Sequence, residues 1–442
     1  MKRLHALVIG AGIGGMAAAI ALRRAGLKVS LFEQTVAQGE VGAGIQISPN
    51  ASRLLGRYGL GDAMARVAVR PSAIVFRRWQ DGRVLGREEL GDSIEGQYGA
   101  PYYHFHRADL IALLAEAFGP KDIKLGRRLV DIEQDESGVT AHFQDGASER
   151  GDLLIGADGI HSRVRERLFG EEKPRFSGQI AYRGLAPAER VAHLRLPLDV
   201  TNWVGPDGHF VHYYVSAGRF LNFIAVSEEA TWTREQWSDR GSISDAAKNY
   251  EGWHPQVATI LTAVDETFKW ALFDRNPLPQ WTQGRVTLLG DACHPMLPFM
   301  AQGAAQAIED GATLAACLKN TAFNVPTAFQ AYVASRKPRT TILQERSQAF
   351  SKSFHLHDGP EQHARDQTYA MVGLRGNPEA MNRLYGHDAE GATAAVTLGK
   401  NNDPPSEVPI SMARQMTKVD VSLRSSATQS QAGQRKSAIP PS

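Results

Sequence analysis

Hydrophobic positions in the N-terminal third fall into short unbroken runs closed by glycine rather than into long amphipathic stripes. Residues 4–9 are apolar apart from His5. Gly10-Ala11-Gly12-Ile13-Gly14-Gly15 follows, residues 16–25 have helix composition and stop at Gly26, and residues 28–33 are a second strand-like run ending in Glu33. A parallel strand covered on both faces reads as a continuous apolar run, so this unit is a predicted βαβ. Within it Gly10, Gly12 and Gly15 permit a tight turn, the approach of a pyrophosphate and close helix–strand packing. Glu33, 18 residues after Gly15, stands where a carboxylate accepts ribose hydroxyls.

The strand-to-glycine pattern recurs twice. Apolar residues 153–155 run into Gly156-Ala157-Asp158-Gly159 and a short basic helix. Residues 285–289 run into Gly290-Asp291-Ala292-Cys293-His294-Pro295, and a helix begins near Gly303 and Ala304. A strand that feeds small residues into a helix start leaves backbone N–H groups and a positive dipole end facing a ligand. Arg107, in the first turn of a predicted helix over 106–118, opposes that helix's dipole unless an anion is near, and is a candidate pyrophosphate contact. Residues 39–50, GEVGAGIQISPN, are too glycine-rich for a regular element; they predict a loop whose backbone approaches a flat ligand and which ends at a helix start.

Elsewhere the period changes to that of strands. Residues 71–90, 180–185, 201–204, 209–215 and 220–226 predict antiparallel sheet, with aromatics frequent enough to floor an aromatic pocket. The organisation expected is α/β. A discontinuous Rossmann-like dinucleotide domain (1–70, 102–175, 276–345) carries an inserted, mostly antiparallel β domain (71–101, 176–275). A C-terminal helical region (346–398) follows, and then a tail (399–442) rich in Ser, Gln, Pro and Ala that is expected to be disordered.

Composition narrows the class. Two cysteines in 442 residues make neither a disulfide framework nor a metal site, and fit a reducing cytoplasm. The formal net charge is +2, with six Lys and Arg against three Asp and Glu between Lys400 and Ser442, so no basic face for nucleic acid is expected. No window has ~18 uninterrupted apolar residues, so no membrane span is expected. Met1-Lys2-Arg3 and the apolar run behind it imitate a secretory leader, but Gly10, Gly12, Gly14 and Gly15 have the better explanation above.

With the three glycine motifs placed, the chain resembles the single-component FAD-dependent aromatic hydroxylases of the para-hydroxybenzoate hydroxylase-like class, over roughly residues 4–390. The motifs are GAGIGG at Gly10–Gly15, GADGIHSRVR at Gly156–Arg165 and GDACHP at Gly290–Pro295. Within the class it is most similar to salicylate hydroxylase, 3-hydroxybenzoate 6-hydroxylase and 6-hydroxynicotinate 3-monooxygenase. GEVGAGIQISPN, AYRG at Ala181–Gly184 and HPMLPFMAQGA at His294–Ala304 carry that closer match.

The resemblance implies FAD, with Glu33 on its ribose, Arg107 near the pyrophosphate and Asp291 on the ribityl chain. Gly303 and Ala304 would donate N–H groups to the flavin N1/C2=O edge, Gln46 would be a further cofactor contact, and Asp158 would serve both FAD and NAD(P)H. It also implies hydroxylation of a hydroxylated aromatic or pyridine carboxylic acid by O₂ through a flavin C4a-hydroperoxide. NADH or NADPH would bind transiently, since no second Rossmann motif exists. His209 is the candidate base and Tyr213 the candidate orienting group; their spacing puts both on one strand face. Pro298 and Phe299 depart from the Gln or His common in relatives at this loop. The alternatives are a flavin-dependent epoxidase, a quinone-precursor hydroxylase or a non-catalytic flavin protein. The expected protein is a cytoplasmic monomer or homodimer.

Overall fold

The computed structural model describes residues 3–36, 43–232, 238–373 and 378–393; the tail expected to be disordered lies outside them. Ala6, Leu7 and Val8 of the first strand, His5–Ile9, have no exposed surface, which accounts for its apolar sequence after His5. That strand sits inside a six-stranded sheet ordered Thr282–Gln283, Val286–Leu288, Leu153–Gly156, His5–Ile9, Lys28–Phe32, Ile123–Lys124. Its pairs are parallel except the outermost, Thr282–Gln283 with Val286–Leu288. All three glycine motifs therefore leave the carboxyl ends of adjacent parallel strands, where ligands of open α/β sheets bind.

Helices Ile13–Arg24 and Gly303–Asn320 cross at very short range. A Cβ on Gly311 would lie 2.6 Å from the Ala18 Cα, and one on Gly14 would lie 2.8 Å from the Ala307 Cβ. These glycines set the distance between two helices that each deliver an N-terminus to the cleft.

The second sheet has eight strands, ordered Ser238–Gly241, Thr267–Asp274, Arg175–Pro187, Phe220–Glu228, Gly208–Val215, Val200–Gly205, Ala73–Arg78, Val84–Glu89. It is antiparallel apart from the Val200–Gly205 and Ala73–Arg78 pair. One face buries Trp203, Phe210 and Phe223 against helices Ile243–Lys248 and Pro255–Leu261. The other packs Val211 and Tyr213 toward Phe354, Tyr369 and Leu384 of the C-terminal helices.

One local expectation is corrected. Within the glycine-rich stretch, Gly44–Ile47 is a regular strand paired with Tyr103–His106, because a partner edge supplies the hydrogen bonds that composition alone does not reveal. A Cβ on Gly44 would meet the Asn222 side chain at 2.5 Å, so this glycine serves close packing. Residues 91–98, which follow the expected strand segment 71–90, form the helix Gly91–Tyr98, closed by Gly99 in the left-handed region. The helix Val325–Phe354 is one continuous element.

Candidate active site

The first glycine motif is built by contacts that only glycine allows. A Cβ on Gly15 would stand 1.9 Å from the Gly10 carbonyl oxygen, and one on Gly10 would stand 2.5 Å from the Ala157 carbonyl oxygen, which locks this turn to the Asp158 motif. Gly12 differs: nothing lies within 4 Å of its would-be Cβ, so it faces the cleft. Helix Ile13–Arg24 has no side-chain cap and no acid in its first turn, leaving its leading N–H groups to an anion. Glu33 accepts the Ala11 N–H at 2.9 Å and the Thr35 N–H at 3.0 Å, which fixes the carboxylate beside the turn.

Asp158 is spent differently. Its two oxygens accept from the Ser162 hydroxyl (2.6 Å) and the Val164 N–H (3.0 Å), so it organises the start of helix Arg163–Phe169. Asp291 is hemmed in by protein yet keeps exposed surface, the setting of a group on a cleft floor. Burial raises its carboxyl, against the opposing charges of His294 and Arg107. Arg107, whose N–H is anchored on the Ala43 carbonyl (2.9 Å), is near enough for its charge to act on Asp291. Helix Gly303–Asn320 also lacks a side-chain cap and a first-turn acid, and the nearest atom to a Gly303 Cβ would be 4.0 Å away. Ala301, at φ 51°, turns the chain into that start at a strain of roughly 1–2 kcal/mol. These open glycines and uncapped helix starts fit the pyrophosphate and flavin edge of FAD.

Behind the cleft runs a largely buried ion network with no counterpart among the expected site residues. Arg336 Nε donates to Asp310 Oδ1 (2.7 Å) and its Nη1 to Glu309; Arg339 donates to both Glu309 oxygens (2.8 and 2.9 Å). Asp310 Oδ2 meets His294 Nε2 at 2.6 Å and accepts the Gly290 N–H at 2.9 Å, so the network clamps the Gly290-Asp291 loop. Cys293, His294 and Asp310 approach closely enough to share a metal ion, but Asp310 is already neutralised by Arg336, which makes the cluster a brace.

Carrying His209 and Tyr213 is a floor of three strands whose register aligns three rows. His209, Val226 and Ala181 form one; Val211, Ile224 and Arg183 the next; Tyr213, Asn222 and Leu185 the third. His209 and Tyr213 share this face, about 13 Å apart along the strand at roughly 3.3 Å per residue. The Phe299 ring lies 5.1 Å from the His209 ring and the Phe354 ring 5.3 Å from it, so the surroundings of His209 on this side are apolar. Tyr213 stacks on His104 at 4.4 Å. Gln46 accepts the Tyr102 hydroxyl (2.7 Å) and touches Tyr213 electrostatically, which places it at the Tyr213 end of the floor. Burial raises the Tyr213 phenol and holds His209 well below its ordinary value, the latter aided by His355.

Two polar residues escaped the sequence reading. The Nε of Arg183 and the Nδ2 of Asn222 are buried without a hydrogen-bond partner among the described residues, and both are donors. The Asn222 oxygen is held by the Gly44 N–H at 2.7 Å, which aims the amide nitrogen away from it. Arg183 lies inside the AYRG motif and could have been found there; nothing local marks Asn222.

The comparisons agree with this geometry. A family model described as FAD binding domain matches residues 3–347. The 3-amino-4-hydroxybenzoate 2-monooxygenase PtmB3 of Streptomyces platensis is 42% identical over 367 residues, 83% of this chain and 92% of its own. The 6-hydroxynicotinate 3-monooxygenase of Pseudomonas fluorescens is 41% identical over 76% of this chain and 88% of its own. Among solved structures, Klebsiella pneumoniae HpxO complexed with FAD and uric acid superposes with a TM-score of 0.75 at 28% identity, over 89% of this chain and 96% of that one. None of the described helices is long and apolar enough to cross a membrane. With the glycine turns, uncapped helix starts and aromatic floor in place, the chain belongs to the FAD binding domain family and is an FAD-dependent NAD(P)H aromatic monooxygenase.

Proposed function

We propose that the substrate is a hydroxylated benzoic or pyridine carboxylic acid, with His209 drawing the ring hydroxyl's proton and Arg183, Tyr213 and Asn222 receiving the acid group. One observation carries this reading: an apolar floor with an imidazole at one end and orphaned buried donors toward the other. A buried donor without a partner costs roughly 1–3 kcal/mol, which an incoming carboxylate or phenolate oxygen offsets. Ring and substituents together suit the gap between the His209 and Tyr213 rows. The relatives named for 3-amino-4-hydroxybenzoate and 6-hydroxynicotinate both act on rings bearing a hydroxyl and a carboxylate.

Bound FAD, reduced by NAD(P)H, supplies oxygen activation and transfer. The chain's residues hold and prepare the ring. His209, kept neutral by burial, can accept a proton and so make the ring electron-rich at its ortho and para carbons. Phe299 and Phe354 exclude water from the reacting end. Glu33, Arg107, Asp291, Gly303 and Ala304 hold the cofactor, and Gln46 fixes the phenols of Tyr102 and Tyr213. The protein acts in the cytoplasm as a monomer or homodimer.

The test is a screen of hydroxybenzoates and hydroxypyridine carboxylates for stimulated NAD(P)H consumption, with product identification. His209→Gln should keep FAD bound while hydroxylation falls by about 10²–10⁴-fold and a larger share of NAD(P)H appears as H₂O₂. Stimulation only by quinone precursors, or wild-type coupling in the variant, contradicts the assignment.

A further inference from the structure

His209 does not stand alone. Its Nδ1 lies 2.8 Å from Nε2 of His355, the residue that caps the carboxyl end of helix Val325–Phe354. The other His355 nitrogen, Nδ1, is 3.2 Å from the Gln179 amide and 3.5 Å from Oε1 of Glu228. The His355 side chain is 2% exposed and that of Glu228 is 53% exposed. We propose that His209, His355 and Glu228 form a proton relay that carries the substrate's hydroxyl proton from the closed pocket to solvent. This rests on the functional reading above and adds His355 and Glu228 as positioning and relay groups.

With both bridging nitrogens engaged, His209 Nε2 is the atom left for the substrate. The ring O–H breaks and an N–H forms at His209 Nε2. The proton on His209 Nδ1 then moves to His355 Nε2, and the one on His355 Nδ1 leaves through Glu228 to water. One proton enters and one leaves, and no redox change occurs. Gln179 lets the chain reset, because its amide is held by the Ser351 hydroxyl (2.6 Å), which can donate or accept. The amide can therefore present nitrogen or oxygen to His355 as that ring changes tautomer.

Burial lowers His355 to about 4, with the Asp207 charge opposing it, so any charge on that ring is passed on quickly. A helix carboxyl end stabilises a cation. The groups facing the outer end are Glu228, Asp207 and His357, the last bonded to Asp207 at 2.7 Å. The Asp207 N–H also donates to the His355 carbonyl (3.2 Å), and the Glu228 N–H to the Asp207 carbonyl (2.9 Å), so hairpin, strand end and helix end are tied together. Phe299 and Phe354 line the inner end and offer no competing route.

The experiment uses the FAD-loaded full chain and a phenolic acid found to stimulate NAD(P)H consumption. Proton release on mixing that acid with oxidised enzyme is followed by stopped flow with a pH indicator in weak buffer. His355→Gln keeps a hydrogen bond to His209 but cannot pass a proton, and should slow release by about 10²-fold with FAD content and melting temperature unchanged. His355→Ala should be slowed similarly and restored by added imidazole. Wild-type release rates in both variants, or a loss that imidazole does not restore, would overturn the relay while leaving the hydroxylase reading intact. Absence of any stimulating phenolic acid in the wild type would overturn that reading, and the relay with it.

Discussion

Arg336→Met tests whether the buried ion network holds the cofactor loop. The native guanidinium has no exposed surface and bonds Asp310 (2.7 Å), the Gln306 side-chain oxygen (2.7 Å) and Glu309. After substitution Glu309 keeps Arg339 and the Asn50 amide, and Asp310 keeps His294 and the Gly290 N–H. What remains is close to one uncompensated buried negative charge, and breaking a buried pair from one side costs about 3–5 kcal/mol. With two carboxylate partners surviving, the low end applies, and a melting-temperature loss of roughly 3–5 °C follows from an unfolding entropy of about 2.1 cal/mol/K per residue over a chain of this length.

The pH dependence gives a second reading of the same change. Burial pushes the Glu309 and Asp310 carboxyls up, but Arg339 and Arg336 hold Glu309, and His294 and Arg336 hold Asp310, below the ordinary carboxylate range. Carboxyls depressed on folding stabilise the protein above about pH 4, and that contribution is lost as pH falls below it. Without Arg336 the burial effect gains weight, so the variant's deficit should be greatest at neutral pH and shrink toward pH 5. Thermal unfolding of apoprotein at pH 7.5 and 5, with FAD titration by fluorescence, measures both effects. Adding Asp310→Asn should recover part of the loss. A deficit under about 2 °C, or one independent of pH, refutes the argument.

Other substitutions separate cofactor binding from folding. Gly12→Val fills the open space beside the first helix and should weaken FAD binding with the apoprotein's melting temperature nearly unchanged, whereas Gly15→Ala, against a backbone oxygen at 1.9 Å, should lower both. Asp291→Ala removes a charged acceptor contributing about 1.5–3 kcal/mol, so FAD affinity should drop by one to two decades on titration; unchanged affinity means the loop is only a turn. Burial lowers His212 to about 3, with Arg77 adding to it, so the folded state resists a proton that the unfolded chain takes up below about pH 6.5. Stability should therefore fall on acidification from pH 6.5, by at most about 1.4 kcal/mol per pH unit for this residue, and His212→Leu should flatten the slope in urea titrations.

The sequence by itself determined the parallel core and the cofactor cradle, because both rest on local requirements. A strand covered on two faces must be continuously apolar, and a backbone that must pass within contact of another must be glycine, as at Gly10 and Gly15. Glu33, Asp291 and Gly303 stand beside those motifs by position, and the cofactor contacts proposed for them rest on that placement. His209 and Tyr213 could be placed on one face by period alone. Their partners could not, since they come from distant segments brought together by sheet register and helix docking. Arg183 and Asn222 reach the floor only through the alignment of three antiparallel strands. His355 meets His209 across 146 residues, and Arg336 reaches Asp310 across 26 from a neighbouring helix. The strand Gly44–Ile47 likewise depended on an edge supplied by Tyr103–His106, because its sequence carries too little side chain to signal a strand. Local backbone geometry is written residue by residue, whereas the charge and proton partners of a buried group are set by which surfaces the fold presses together.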